Sequence, residues 1–397
     1  MHNSTDLTVT GNTEYTRPEN RAFYPALDGL RAVAFLLVFF QHYTSIPWGW
    51  TGVDFFFVLS GFLITGILFD TRNDPHRVRN FYLRRTLRIF PLYYGVMILI
   101  LLLYPIFRWD IDWHWLAWPA YLGNYLRFLN PSVLIDGSPL QQLADFQANA
   151  THPANTDVIL YLGHFWSLCV EEQFYLFWPY LVFWIRNRRT LLWLCVLTLP
   201  LCLTLRIIAL HHLPAWMLHE EILYRATPFR LDALLLGGLI ALLLRGPLSA
   251  QILRYARLLS PLIFAIIIYW IYLVYAAQFA PAHYPAWKFT TGLTLIDLLA
   301  ALVILIAIQP GSLIYRALAL RPLRWLGRIS YGAYIFHDIP HDFYSRYSDA
   351  LMPSHPAVPT SIFALAGTLL LSWLSFRFLE SPFLNLKERW TRSTPHL

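Results

Sequence analysis

Charged residues are scarce in this chain of 397 residues, at 13% of the total, whereas hydrophobic residues make up 57%. A typical soluble domain carries about 25% charged residues, which keep its surface in water. The composition therefore excludes a soluble globular protein and a disordered chain. Cysteine is also scarce, and the three residues Cys169, Cys195 and Cys202 lie in apolar segments without metal-ligand spacing. Their placement excludes a disulfide framework and indicates no metal site.

Long apolar runs dominate what is present, and a spanning helix needs about 20 such residues. Their continuity excludes a β-barrel, whose strands would alternate over about 10 residues. We predict an all-α, polytopic integral membrane protein with about ten transmembrane helices. The segments centre on Ala32–Tyr43, Val53–Phe69, Ile89–Phe107, Phe165–Ile185, Leu191–Leu210, Phe229–Leu244, Leu258–Gln278, Thr290–Ile308, Trp325–Ile339 and Thr360–Phe378.

The positive charges predict the orientation of these helices. With ten spans and a cytoplasmic N-terminus, 22 of the 30 Lys and Arg residues fall in cytoplasmic pieces and five in outer loops. The positive-inside rule then places both termini in the cytoplasm, and the basic loops suit a bacterial inner (plasma) membrane rather than nucleic acid. The segment Trp113–Phe128 is rich in aromatic residues, which suits an interfacial or re-entrant segment better than a span.

This topology divides the chain into three parts. Residues 1–23 form a polar cytoplasmic tail, residues 24–382 form the transmembrane domain, and residues 383–397 form a basic cytoplasmic tail. The long outer loop, about 108–163, is a candidate cover for a pocket on the outer face.

The first segment contains Arg31 and His42, eleven positions apart. On a helix this spacing gives about 16 Å of rise and close to three turns, so both residues share one face. Ionisable groups within a span are costly and are candidates for function. The alternative is a snorkelling arginine and an interfacial histidine. Asp54, across a short loop, either orients His42 or caps the second helix.

A basic cluster stands where the third segment begins. Arg84, Arg85 and Arg88 lie within five residues and abut the membrane. They either set topology only or grip phosphate groups through forked donors.

The fourth segment carries two adjacent carboxylates, Glu171 and Glu172. Adjacent helical positions point about 100° apart, so at least one faces protein or a water-filled cavity. Either the pair belongs to a site, or it is structural and is paired with Arg206 or Arg230.

The ninth segment, GRISYGAYIFHDIPHD, places Tyr334 and His337 three residues apart on one helix face. Composition alone favours a structural role for His337, near the outer interface.

Taken together and in this order, these segments resemble the acyltransferase-3 family of integral membrane O-acyltransferases. The resemblance runs from about residue 24 to 382. It rests on YPALDGLRA with the Arg31-x10-His42 spacing, GVDFFFVLSGFLI, FYLRRTLRIFPLYY, HFWSLCVEEQFYLFWP, RLDALLLG and LGRISYGAYIFH. It implies transfer of an acyl group, by default acetyl, from cytoplasmic acyl-CoA to a hydroxyl of a saccharide or glycolipid acceptor, such as O-antigen or exopolysaccharide.

The resemblance also implies residue roles. Arg31 and the cluster Arg84, Arg85 and Arg88 would bind the anionic end of acyl-CoA, and His42 is the catalytic candidate. The pantetheine arm would run up between the helices and deliver the thioester close to His42. This residue would act as general base on the acceptor hydroxyl, or as an acyl-carrying nucleophile.

The chemistry of such a transfer, rather than the resemblance, suggests the supporting roles. Glu172 and Asp54 are further catalytic candidates, and no feature chooses firmly between Glu172 and Glu171 for orienting His42. Oxyanion or acceptor contacts are predicted for Trp166, Gln173, Tyr331, Tyr334 and His337. We expect no metal and no tightly bound cofactor, acyl-CoA being a co-substrate.

The alternative function is a polytopic transporter or flippase of a saccharide or other small substrate, without acyl transfer. Two signs of such a transporter, an inverted repeat and paired broken helices, are not found in this sequence.

Overall fold

Apolar helices pack side by side through most of the chain, and every regular element of the described ranges is helical. The computed structural model describes residues 24–44, 46, 48–107, 113–129, 161–214, 217–218, 222–278, 287–341, 343–344 and 357–390. Its helices are α1 (Pro25–Tyr43), α2 (Thr51–Asp70), α3 (Arg77–Phe107), α4 (Leu126–Leu129), α5 (Trp166–Trp184), α6 (Arg188–His212), α7 (Ile222–Arg225), α8 (Leu231–Leu243), α9 (Ser249–Leu258), α10 (Ser260–Gln278), α11 (Leu293–Ala307), α12 (Leu313–Leu318), α13 (Arg321–Phe336), α14 (Ala357–Ser375) and α15 (Ser381–Trp390).

Each of the ten apolar segments predicted from the sequence contains one long helix of this structure. By length and composition, five described helical stretches could cross a membrane, or six if the bent pair α9 and α10 forms one span. The remaining predicted spans, α1, α5, α8 and α13, are shorter or more polar. A helix surrounded by other helices needs less apolar surface than a helix that faces lipid. The all-helical membrane fold is confirmed, whereas the count of ten and the cytoplasmic termini stay predictions.

Burial separates central helices from peripheral ones. The apolar window of α2 is 67% buried and that of the stretch Lys288–Ala307 is 72% buried, against 17% for Thr360–Leu386. Close contact at the centre depends on small residues. A Cβ on Gly61 would collide with the backbone of Leu234, and one on Gly237 with that of Val58. The two glycines therefore let α2 and α8 approach at backbone distance.

The aromatic segment Trp113–Phe128 forms no continuous helix. It folds into the 3₁₀ turns Trp113–Ala117 and Gly123–Tyr125 and the beginning of α4. Tyr121, between the two turns, has a φ of 55°, which a non-glycine residue rarely adopts. This segment is too broken to span a membrane. The outer loop predicted as a pocket cover falls mostly on residues 130–160, outside the described ranges, as do the tail residues 1–23 and 391–397. Residues 383–390 of the predicted C-terminal tail belong to α15.

Candidate active site

A pocket opens among α1, α2, α3, α5 and α13, and it holds about 800 Å³ of empty space, part of which is open to solvent. The long axis of the pocket follows α5, which contributes Ser167 to one end of the pocket and Tyr175 to the other. Eight residues of helix separate these two, or about 12 Å at 1.5 Å per residue. The pocket is therefore elongated along the helix axes, which suits an extended ligand.

Basic side chains crowd the Tyr175 end. Arg31, Arg85 and Arg88 all line the pocket there. Arg31 contacts Asp28 at 3.2 Å, whereas Arg88 forms no ion pair with any residue that the structure describes. Arg84, one position before Arg85, is exposed and does not line the pocket. Three of the four predicted arginines thus meet in one place, and the fourth points elsewhere because consecutive helical residues differ by about 100° in direction.

Arg85 is held by acidic and aromatic partners. Its guanidinium lies 3.9 Å from Glu171 and 3.6 Å from Glu172. The same guanidinium stacks over the ring of Tyr175 at 3.5 Å. The sequence left open which of Glu171 and Glu172 faces the site. In the structure both carboxylates line the pocket. Neither is recorded in contact with His42.

Two hydroxyl groups close the far end of the pocket. The hydroxyls of Ser167 and Tyr334 are 2.6 Å apart, and that of Tyr334 also lies 3.0 Å from the carbonyl oxygen of His164. Tyr331, three residues before Tyr334 on α13, also lines the pocket and donates to the carbonyl oxygen of Ile89 at 2.9 Å. Tyr331 and Tyr334, predicted as contacts for substrate or oxyanion, are thus both in the cavity wall.

Beyond this closed end, imidazoles surround one carboxylate. Nδ1 of His42 and Nδ1 of His341 each lie 3.3 Å from Oδ1 of Asp338, and Nδ1 of His164 lies 3.7 Å from Oδ2. His337 packs edge-on between them, its ring centroid 5.0 Å from that of His42 and 4.7 Å from that of His164. The cluster lies where α1 ends, just before α5 begins and just after α13 ends.

The protonation of two of these histidines follows from their backbone contacts. Nε2 of His164 lies 3.1 Å from the carbonyl oxygen of Ile335, and Nδ1 of His337 lies 2.7 Å from that of Tyr334, so each nitrogen donates. Burial lowers the pKa of His164, and the adjacent Asp338 opposes this shift only in part. His164 is therefore neutral near pH 7, with its proton on Nε2. His42 and His341 each lie within ion-pair distance of the same carboxylate.

His42 is the most accessible of the imidazoles around Asp338. Its side chain is 32% exposed, against 24% for His341 and 1% for His164. A carboxylate that accepts from Nδ1–H leaves Nε2 with its lone pair free. This arrangement lets His42 take a proton from a hydroxyl presented at the surface of the cluster.

Asp54 lies elsewhere. It is fully buried and forms an ion pair with Arg230, whose guanidinium also lies over the ring of Phe57 at 5.4 Å. Arg206 and Asp232 form a second buried pair in the same region. The structure thus places Asp54 in a structural charge network rather than beside His42. The alternative of a helix cap does not hold either, because α2 begins without a capping side chain.

Trp166 and Gln173 are packing residues outside the cavity wall. The ring of Trp166 lies 4.7 Å from that of Tyr224. The amide of Gln173 donates to the carbonyl oxygen of Tyr121 at 2.7 Å and to Asn124 at 3.0 Å. Gln173 therefore holds the loop around Tyr121, where the backbone conformation is unusual.

Sequence reasoning assigned no role to His164 and His341 and left Asp338 as a neighbour of His337. The available signal was the HDIPHD run, which puts two acids and two histidines close together just past a predicted helix. Only the packing of α1 against α13 shows that this run meets His42.

The comparison with protein families assigns the class of protein. Residues 24–377 match a family model described as an acyltransferase domain. This match covers most of the chain, which therefore belongs to the acyltransferase-3 family; the resemblance drawn from the motifs is confirmed.

Two relatives show what this chain is similar to. The peptidoglycan O-acetyltransferase OatA of Listeria monocytogenes is 29% identical over 392 residues, covering 91% of this chain and 56% of the relative. The O-acetyltransferase OatA of Staphylococcus aureus is 26% identical over 380 residues, covering 91% and 57%. The chain thus spans a little over half the length of these curated relatives. No solved structure matches it.

Proposed function

We propose that this protein transfers an acetyl group from cytoplasmic acyl-CoA to a hydroxyl of a cell-envelope saccharide, with His42 as general base. The observation that carries the proposal is an elongated pocket that is basic at one end. At its other end the ring of His337 alone separates Tyr334 from His42, which contacts the carboxylate of Asp338. The names of the relatives favour peptidoglycan as the acceptor over the O-antigen or exopolysaccharide expected from the motifs. Both termini and the basic loops would face the cytoplasm of a bacterial plasma membrane.

The pocket suits the donor. Phosphate groups of acyl-CoA would bind near Arg31 and Arg88, because Arg88 forms no ion pair with a carboxylate in the described ranges. The pantetheine arm would extend along α5 toward Ser167 and Tyr334. The acyl carbon would then lie beside Ser167 and Tyr334, and His337 separates Tyr334 from His42, with ring centroids 5.5 Å and 5.0 Å away respectively.

The reaction at this point needs one proton acceptor and one oxyanion donor. His42 removes the proton of the acceptor hydroxyl, and its oxygen forms a bond to the thioester carbon. The developing oxyanion would accept from the Tyr334 hydroxyl at the end of the pocket, once that hydroxyl turns from the carbonyl oxygen of His164. The C–S bond then breaks, and CoA leaves as a thiolate toward the basic end. The proton on His42 returns to solvent through its exposed edge.

A test of the proposal uses inverted and right-side-out vesicles that contain the protein, a saccharide acceptor and labelled acetyl-CoA. We expect label on the saccharide only when acetyl-CoA is supplied on the former cytoplasmic face. Transport of unmodified saccharide without consumption of acetyl-CoA would contradict the proposal and favour the transporter alternative.

The basic end of the pocket yields a prediction with an internal control. Arg88→Ala should raise the apparent KM for acetyl-CoA by about 10–100-fold, because hydrogen bonds to charged groups contribute about 1.5–3 kcal/mol. The KM for the saccharide acceptor should stay within about threefold. Initial rates over a range of each substrate provide the measurement.

The matched control is Arg84→Ala, which removes the same charge from the same helix at an exposed position outside the pocket. It should leave both KM values within about twofold of wild type. An equal rise in both variants would show that general basicity, rather than the pocket, attracts the donor.

A further inference from the structure

The middle of the pocket has an excess of carboxylates over cations. Glu171 and Glu172 share the single guanidinium of Arg85, with side chains that are 18%, 13% and 17% exposed. One of the two carboxylates is therefore left without a cation of its own within 4 Å among the described residues. The charge of Arg85 is already matched and is not available to bind a further anion.

Any donor that reaches the far end must pass these carboxylates. Glu171 is four residues after Ser167 on α5, so the two lie on the same helix face. The distance along the axis is one turn, about 6 Å. A terminal carboxylate on an acyl group bound near Ser167 would therefore lie within a few ångströms of Glu171.

The far end itself is built for a small, uncharged group. Phe56, Phe57 and Leu168 line it, and the ring of Phe56 packs edge-on against Tyr334 with centroids 5.8 Å apart. The Ser167–Tyr334 hydrogen bond closes it. The cations that line the described pocket are Arg31, Arg85 and Arg88. Arg31 is paired with Asp28 and Arg85 with Glu171 and Glu172, and none of the three arginines is paired with a described residue of the far end. An acyl carboxylate at this end would lose water without an ion-pair partner in the pocket lining.

We propose that Glu171 and Glu172 select the donor, admitting short uncharged acyl groups and rejecting acyl groups that end in a carboxylate. This inference rests on the proposed function, since it assumes that acyl-CoA occupies the pocket. Glu172 thereby acts on the choice of donor, not on the orientation of His42. Close approach of like charges is among the strongest devices for rejecting a wrong ligand.

The test compares two thioesters of equal chain length. Butyryl-CoA and succinyl-CoA both carry four-carbon acyl groups, and only the second ends in a carboxylate. Equilibrium binding of CoA, acetyl-CoA, butyryl-CoA and succinyl-CoA is measured on the purified full chain in lipid nanodiscs at pH 7.5. We expect succinyl-CoA to bind about 100-fold more weakly than butyryl-CoA.

Two isosteric variants then locate the cause. Glu171→Gln and Glu172→Gln each leave one carboxylate for Arg85, so the charge at this level becomes balanced. Each should reduce the preference for butyryl-CoA over succinyl-CoA about tenfold, while the Kd for CoA itself changes less than about threefold. A merely structural role would weaken all four ligands together. Asp70→Asn, which removes a carboxylate paired with Arg245 outside the pocket, should leave the preference unchanged.

The outcomes separate the two proposals. If wild-type protein binds butyryl-CoA and succinyl-CoA equally, the selectivity is wrong while acyl-CoA remains the donor. If the protein binds none of the four ligands, the assignment of acyl-CoA fails, and the selectivity fails with it. A preference that persists in both glutamine variants would place its cause elsewhere in the pocket.

Discussion

Replacing His42 by alanine is expected to lower kcat for acyl transfer by about 10²–10⁴-fold, which is the usual contribution of a positioned general base. The physical reason is the geometry at Asp338, which holds Nδ1 of His42 at 3.3 Å and leaves Nε2 free to accept a proton. The amount of folded protein should not change, because His42 is partly exposed and lies at the end of α1. Transfer of labelled acetyl groups and gel-filtration profiles provide the two measurements.

The control for this variant is His211→Ala, which removes an exposed histidine from the last turn of α6. It should retain wild-type activity. Loss of folded protein in His42→Ala, or unchanged activity, would contradict the role of general base.

Asp338→Asn extends the same prediction to the orienting carboxylate. An amide can donate as well as accept, so it no longer imposes the tautomer of His42 with its proton on Nδ1. In a serine protease the equivalent change costs about 10⁴-fold in kcat. We expect a loss of similar order here, together with a shift of the acid limb of the pH–rate profile to lower pH, since the protonated imidazole loses its anionic neighbour. A general structural defect would lower the rate without moving that limb.

Replacing Arg230 by methionine is expected to destabilise the protein by about 3–5 kcal/mol, because it leaves the carboxylate of Asp54 buried without its partner. Both side chains are completely buried. Thermal unfolding in detergent should show a large fall in Tm, and less folded protein should reach the membrane.

The chain offers a matched pair at the surface. Arg245 binds Asp70 with side chains that are 28% and 41% exposed. Arg245→Met should therefore change stability by less than about 1 kcal/mol. The double variant Asp54→Leu with Arg230→Met should recover most of the lost stability, since Asp54 no longer contributes a buried carboxylate without its partner.

The buried pair of Asp54 and Arg230 also distinguishes a structural from a catalytic role for Asp54. A structural role predicts that Asp54→Asn lowers Tm and yield while the folded fraction keeps its kcat. Wild-type Tm with a reduced kcat would instead restore the catalytic role expected from the sequence.

Some of the site was predictable because it depends on local spacing. Arg31 and His42 share one helix, and a regular helix converts eleven positions into a distance and a direction. The arginines of α3 and the carboxylates of α5 were likewise predictable as candidates, since ionisable groups in apolar segments need a reason to be there.

Other assignments could not be made from one segment at a time. The partner of Asp54 could not be identified because Arg230 lies 176 positions later in the chain. Arg84 and Arg85 are equivalent in sequence, and only the placement of α3 against α5 shows which of them enters the pocket. The carboxylate nearest His42 comes from Asp338, nearly 300 positions away.

The sequence by itself determined that this is an all-helical membrane protein of the acyltransferase-3 family, because hydropathy, helix periodicity and short motifs are local properties of a chain. The tertiary structure alone decided which charges meet: Arg85 with Glu171 and Glu172, Arg230 with Asp54, and His42 with Asp338. Buried charges are tolerated only beside a partner, and helix packing, not sequence order, brings those partners together.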